Sequence, residues 1–191
     1  DRLGGMEPVV LRTLRLELSV LTEGDAEALF AAGQDPAVQR YTSVPTPFTR
    51  ADADELIAAT RAGWQTGDRL SWAVREQGVL VGIVGLYRVD GKGSGELGYW
   101  LAAPARGRGL LTEAARTALD WGFSADGAAL ARIEWHAVVG NTASARVAER
   151  LGFRFEGVRR AALIGSDGRE DGWSAALLAT DDRTPQTWPI P

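Results

Sequence analysis

The 191-residue sequence contains no cysteine. That absence excludes disulfides, cysteine nucleophiles, iron–sulfur clusters and thiolate zinc sites. Histidine is almost as scarce, with His136 the only one. One chain therefore offers no multi-histidine metal site, and a Ser-His-Asp hydrolase would have to be built on that single residue. Lysine occurs once, at Lys92, and basic charge is outweighed overall: Lys+Arg 21 against Asp+Glu 25 gives −4. Nucleic acid as the main ligand runs against that balance. No apolar run reaches membrane-spanning length and no charged-then-apolar leader opens the sequence, so the expectation is a cytoplasmic protein without a membrane partner. Met6 reads as a native start, with Asp1–Gly5 an added segment.

What is present is an ordinary globular composition. With 45% hydrophobic and 24% charged residues, 191 positions suit one domain with an ample core. Leu14, Leu16, Leu18 and Val20 alternate with polar residues and predict a half-buried strand. Thr22 with Asp25 forms a capping-box pattern for a helix over 23–32, and Thr49 with Asp52 repeats it ahead of a helix carrying Leu56, Ile57, Thr60 and Trp64 on one face. Between them, Pro45 and Pro47 mark 41–48 as a loop. Strands follow at Ser71–Arg75 and Val79–Val89 around a turn at Glu76–Gly78. The turn Asp90–Gly95 then leads to a strand at Glu96–Leu101. After a Gly/Arg loop come a helix over 110–123, a strand at Arg132–Val138, a helix at Thr142–Leu151 stopped by Gly152, and strands at Phe153–Leu163 and Trp173–Leu178 around a Gly165–Gly168 turn. Hairpins first and βαβα later indicate a mixed α/β sheet. The expected organisation is one domain over 8–182, with terminal segments 1–7 and 183–191, the latter polar, Pro-rich and poorly ordered.

Three segments carry chemistry. Ala105-Arg106-Gly107-Arg108-Gly109 joins a strand to a helix. Turn amides ahead of a helix N-terminus cradle anions, glycines admit close backbone approach, and Arg106 and Arg108 offer charge-assisted contacts. An ordinary βα loop with two glycines reads the same way. No Gly-Lys-Ser/Thr follows, and Thr112 stands where a dinucleotide fingerprint needs its third glycine. Glu113 argues against an anion unless it turns away. Asp90–Gly95 resembles a phosphate loop in composition but lies between strand patterns and reads as a hairpin turn. Asn141 reads as a helix N-cap, with Ser144 in the first turn.

Glu96-Leu-Gly-Tyr-Trp-Leu101, then Arg106-Gly-Arg-Gly-Leu-Leu-Thr-Glu-Ala114, paired with Asn141-Thr-Ala-Ser-Ala-Arg-Val-Ala-Glu-Arg-Leu-Gly-Phe153, resemble the GNAT N-acetyltransferase superfamily, and within it the RimJ/RimL-type branch. The resemblance runs over nearly the whole chain, from the opening L-R-T-L-R-L-E-L to the closing D-G-R-E-D-G-W-S. It implies a single-domain, mostly antiparallel sheet flanked by helices, with a central parallel strand pair, Glu96–Leu101 and Arg132–Val138, that splays apart. It implies acetyl-CoA as co-substrate and no metal. Trp100, Leu101, Arg106, Gly107, Arg108, Gly109, Leu110, Leu111, Asn141 and Arg146 become cofactor-binding candidates: the pyrophosphate on the loop amides, the pantetheine along the first splayed strand and near Asn141. The family loop often starts with Gln or Arg three residues before its first glycine; Pro104 stands there and removes that side-chain contact.

The same resemblance places Glu96 as a base candidate and Ser144 as proton donor to the leaving thiolate. Because no tyrosine follows Tyr99, Ser144 or water is expected in that role. Glu156 and His136 are further candidates to take the amine's proton, although His136 alternates with Ile133, Trp135 and Ala137 as a packing residue would. A base or water relay is needed because an α-amine with pKa near 7.8 is about a tenth neutral at pH 7, and a lysine near 10.4 less than about one part in a thousand. Trp64, Trp72, Tyr99, Trp100 and Trp173 are candidates for an apolar acceptor pocket bordered by 41–48. The expected activity is direct acyl transfer to a primary amine, possible acceptors being a protein N-terminus and a small-molecule amine or antibiotic. Use of another acyl-CoA such as succinyl-CoA, and a non-catalytic acyl-CoA-binding module, stay open. Monomer and homodimer are both compatible.

Overall fold

The computed structural model describes residues 5–165 and 168–191. Its elements are β1 (Leu11–Arg12), β2 (Leu16–Ser19), α1 (Ala26–Gly33), α2 (Pro36–Tyr41), α3 (Arg50–Thr66), β3 (Arg69–Glu76), β4 (Val79–Tyr87), β5 (Ser94–Leu101), α4 (Leu110–Phe123), β6 (Arg132–Val138), α5 (Thr142–Leu151), β7 (Arg154–Gly165) and β8 (Gly168–Leu178). Among the described residues eight strands form one sheet in the order β1-β2-β3-β4-β5-β6-β8-β7. Every neighbouring pair is antiparallel except β5 and β6, which are parallel because α4 crosses between them.

Alternation along the strands feeds two cores. Leu70, Trp72, Val74, Val84, Leu86, Leu97, Ile133 and Trp135 point to the face covered by α4 and α5. Ala73 and Ile83 point to the other face, where α1 and α3 bring Leu29, Ala53 and Ile57. Trp64, Trp72 and Trp121 meet with ring centroids 5.1–5.7 Å apart. They are core rather than pocket wall, which corrects the acceptor-pocket expectation for Trp64 and Trp72. Trp173 is likewise buried.

Several expected boundaries move. The strand expected from Leu14 begins at Leu16 as β2, a short β1 precedes it, and Leu14 is 98% exposed in the turn between them. Periodicity places a side chain on a face only while the chain stays extended. The segment after Gln34 adds a helix the sequence reading did not resolve: Asp35 accepts from the Ala37 amide as N-cap and Pro36 starts α2. Asp90–Gly93 is the expected hairpin turn, with Asp90 Oδ1 accepting from the Lys92 and Ser94 amides.

The C-terminal segment is not poorly ordered. Trp188 is buried, packs at a tilt against Trp135 and Phe155, and donates its indole N–H to Phe153 O at 2.9 Å. Its backbone N–H and that of Gln186 both bond to Glu149. The chain passes so close to Gly152 that a Cβ there would lie 2.6 Å from Arg183 Cα. Gly152 (φ +90°) therefore both ends α5 and admits this segment.

Candidate active site

β4 pairs with β5 from Glu96 to Leu101, and β8 pairs with β6 over Arg132–Val138. Between β5 and β6 there are only three pairs: Ser94 with Arg132, Gly95 with Ile133, and Glu96 with Glu134. Past Glu96 the strands part. Each remains anchored to its outer neighbour, so the opening is part of the fold and exposes backbone groups of 97–101 without a partner strand. Unpaired strand edges bind extended, amide-bearing ligands by strand addition.

At the end of β5 the chain makes a short 3-10 turn, Ala103–Ala105, containing Pro104. Gly107 and Gly109 then take left-handed conformations (φ +75° and +77°), and α4 starts at Leu110. The first helical hydrogen bond runs from Glu113 N–H to Gly109 O, so the preceding amides are not consumed inside the helix. Both arginine side chains of this loop are already engaged. Arg106 donates twice to Leu101 O, at 3.0 and 2.8 Å, and pairs with Asp35 at 2.8 Å. Arg108 is bidentate to Glu76 at 2.8 and 2.6 Å, which holds the Glu76 carboxyl below its usual range. Glu113 is turned away toward Thr13 and Arg15. Burial there opposes ionisation, yet those hydrogen bonds outweigh it and keep its pKa low. The loop's capacity for an anion thus resides in its backbone and in the N-terminus of α4.

On the α4–α5 face of the opening, Tyr99 shares a side of β5 with Leu97 and Leu101. Its hydroxyl donates to Ser144 O at 2.9 Å and accepts from Trp135 Nε1 at 3.0 Å; Ser144 Oγ lies 3.3 Å from it. Asn141 caps α5, its Oδ1 accepting from the Ser144 amide at 3.3 Å. Burial raises the Tyr99 pKa well above the usual value, so the phenol stays neutral. The tyrosine beside Ser144 therefore comes from β5 rather than from later in the chain. Its alternation with Leu97 and Leu101 was legible, but not its meeting with a residue on α5.

The opposite face is charged. Glu96, the last residue of β5 paired with β6, accepts from Arg88 at 2.8 Å on Oε2, and His136 Nδ1 lies 3.5 Å from the same oxygen. Burial pushes the Glu96 carboxyl up. His136, then Arg88 and Arg159, outweigh this and leave its pKa below the usual value. Glu156 is bidentate to Arg132 at 3.0 and 2.8 Å, and that pairing lowers its pKa. Of the base candidates, Glu96 therefore sits where the strands separate, while both oxygens of Glu156 are held by Arg132. Trp100 packs against the second core beside Ile83. Arg146 pairs with Glu149 at 2.7 Å on the flank of α5. Above this face α2 is tied to β8 by Arg40, which donates to Glu170 at 2.9 and 2.6 Å. The 41–48 loop ends in Phe48, buried in the core under α1 and α3.

Residues 15–154 match the acetyltransferase (GNAT) domain family, and the chain belongs to that family of N-acetyltransferases. It is 31% identical over 154 residues to the uncharacterized N-acetyltransferase YoaA of Bacillus subtilis, covering 79% of this chain and 86% of that one. Among solved structures it is similar to Mycobacterium smegmatis RimJ in complex with CoA-disulfide, with 25% identity, a TM-score of 0.82, and 91% and 90% of the two chains covered. The fold is also that of RimL, a ribosomal L7/L12 α-N-protein acetyltransferase solved with coenzyme A, at 20% identity and a TM-score of 0.80 over 89% of this chain and 98% of that one. Among the described residues no helix is long and apolar enough to cross a membrane.

Proposed function

We propose that this enzyme transfers the acetyl group of acetyl-CoA directly to a primary amine, the α-amine of a protein N-terminus, within a ternary complex. The observation that carries the reading is the opening between β5 and β6 after Glu96, with free loop amides at one end and a titratable carboxylate at its root. Pantetheine amides would add to the edge of β5 that parts from β6, running toward Trp100 and Leu101, with Leu101 O already held by Arg106. The pyrophosphate would lie on the amides of Gly107, Arg108, Gly109, Leu110 and Leu111, and Asn141 would contact the arm. Arg106 and Arg146 would shape the site from its rim.

The acceptor arrives as an ammonium and loses one proton through Glu96. The neutral nitrogen attacks the thioester carbonyl, the C–S bond breaks, and the thiolate takes a proton from Ser144, which Tyr99 holds in place. The amine's second proton, lost as the amide forms, restores the Ser144 hydroxyl, and the proton taken by Glu96 passes to solvent, so one proton is released overall. With no cysteine in the chain, an acyl-cysteine intermediate is excluded. The acceptor assignment draws on the likeness to RimL and RimJ, whose TM-scores are 0.80 and 0.82.

Thiol release from acetyl-CoA tests both parts. Peptides with a free N-terminus should turn over at least tenfold faster than the same peptides N-blocked and carrying one lysine, as the neutral fractions of the two amines imply (about three hundredfold at equal reactivity). Faster release with an aminoglycoside or polyamine overturns the acceptor assignment. Binding of acetyl-CoA without release across all acceptors overturns catalysis. A faster reaction with succinyl-CoA overturns the choice of acyl group.

A further inference from the structure

His136 is the residue of the charged face that the chemistry above does not use. It lies on β6 two residues past Glu134, where β6 has left β5, and its side chain is only 5% exposed. Its Nδ1 is buried and has no hydrogen-bond partner among the described residues, an unfavourable arrangement when nothing compensates it. Glu96 Oε2 lies 3.5 Å from that nitrogen. The other ring nitrogen, Nε2, meets Arg159 Nη1 at 3.2 Å.

An arginine N–H can only donate, so Nε2 must accept and the ring proton belongs on Nδ1, facing Glu96. Arg159 also covers the ring nitrogen an incoming amine would need, which bars His136 from being the base itself. Glu96 is different: Arg88 and His136 both address Oε2, and Oε1 carries no hydrogen bond among the described residues. The remaining charges around the ring are Glu134 Oε2, 3.8 Å from Nε2, and the Arg132–Glu156 pair beyond it.

We propose that His136 is a positioning residue for Glu96: its Nδ1–H, fixed by Arg159 on the opposite ring nitrogen, orients the carboxylate at the mouth of the strand opening and leaves Oε1 for the acceptor amine. The inference rests on Glu96 being the base. The 3.5 Å approach shortens to a hydrogen bond when the amine adds charge to the site, as contacts in unliganded active sites commonly do.

Because the chain has one histidine, its ring nitrogens give a single set of NMR resonances that need no mutant for assignment. The expected spectrum of the neutral ring has the proton on Nδ1 and a bare Nε2; a ring protonated on Nε2 overturns the inference. In acetyl transfer to a free-α-amine peptide, His136→Ala should lower kcat on the order of tenfold to a hundredfold with KM for acetyl-CoA unchanged. His136→Asn, which returns a side-chain N–H near the Nδ1 position, should recover most of that loss. In a Glu96→Gln background His136→Ala should cost nothing more. An equal loss in both backgrounds, or no recovery by Asn, overturns the positioning role while leaving Glu96 as base. A Glu96→Gln enzyme as fast as wild type overturns the base assignment, and this inference with it.

Discussion

The two faces of the β5–β6 opening differ in kind. Toward α4 and α5 the groups are neutral or belong to the backbone: the Tyr99 phenol, the Trp135 indole, Ser144, the Asn141 cap and the amides of the glycine loop. Toward the other side stand Glu96, Glu134 and Glu156 among Arg88, Arg132 and Arg159, with His136 between them. A neutral hydrogen-bonded cluster keeps one protonation state over a wide pH range, whereas a cluster of paired charges sets its members' proton affinities by mutual interaction. The first suits holding a polyamide arm and a leaving thiolate, and the second keeps its carboxylates ionised to meet an incoming ammonium. Even on the neutral side, the two arginines that looked like phosphate ligands are occupied by Asp35 and Glu76.

Substitutions on the two faces should therefore behave differently. The largest expected effect is Glu96→Gln, which should lower kcat about 10²–10⁴-fold in the acetyl-transfer assay without changing acetyl-CoA affinity. The same variant has a stability signature. The folded-state pKa of Glu96 lies below its ordinary 4.5, so the stability it contributes is present above that pH and lost as the pH falls below it toward the folded value. Denaturant midpoints of wild type and Glu96→Gln should thus converge below pH 4.5.

On the neutral face the effects should fall on stability first. Trp188→Ala removes the ring packed against Trp135, which in turn holds Tyr99, and should cost roughly 3–5 kcal/mol in urea unfolding. Tyr99→Phe leaves Trp135 Nε1 and Ser144 O without their partner and should cost about 1–3 kcal/mol. Its effect on kcat should be constant across pH, because the phenol stays neutral; a new pH dependence would break the contrast between the faces. The smallest effect is expected for Arg108→Ala. Its exposed guanidinium already serves Glu76, so KM for acetyl-CoA should change by no more than about twofold. A tenfold rise would return the arginine to the phosphate.

Much of this architecture was legible before any coordinates. Thr49 and Asp52 announced α3, and the strand patterns on either side of Asp90–Gly95 announced a turn rather than a phosphate loop, because caps and turns are set by residues close together in the chain. Leu14 shows where such reading breaks down: the alternation is genuine, but a turn interrupts the strand that would have buried it. The C-terminal segment shows the same limit in reverse. Its proline-rich, polar character says little about order when Trp188 has a slot between Trp135 and Phe155 to fill.

The sequence by itself determined most of the elements, the glycine loop ahead of α4, the lack of any thiol chemistry and the family to which these segments belong. Only the tertiary structure decided what each of those segments meets. Tyr99 reaches Ser144 across 45 residues of sequence and Trp135 across 36, and Glu96 finds His136 on the far side of the α4 crossover. Strand alternation fixes the face on which a side chain stands. The length and angle of a parallel crossover, which no local pattern encodes, fix its neighbour there.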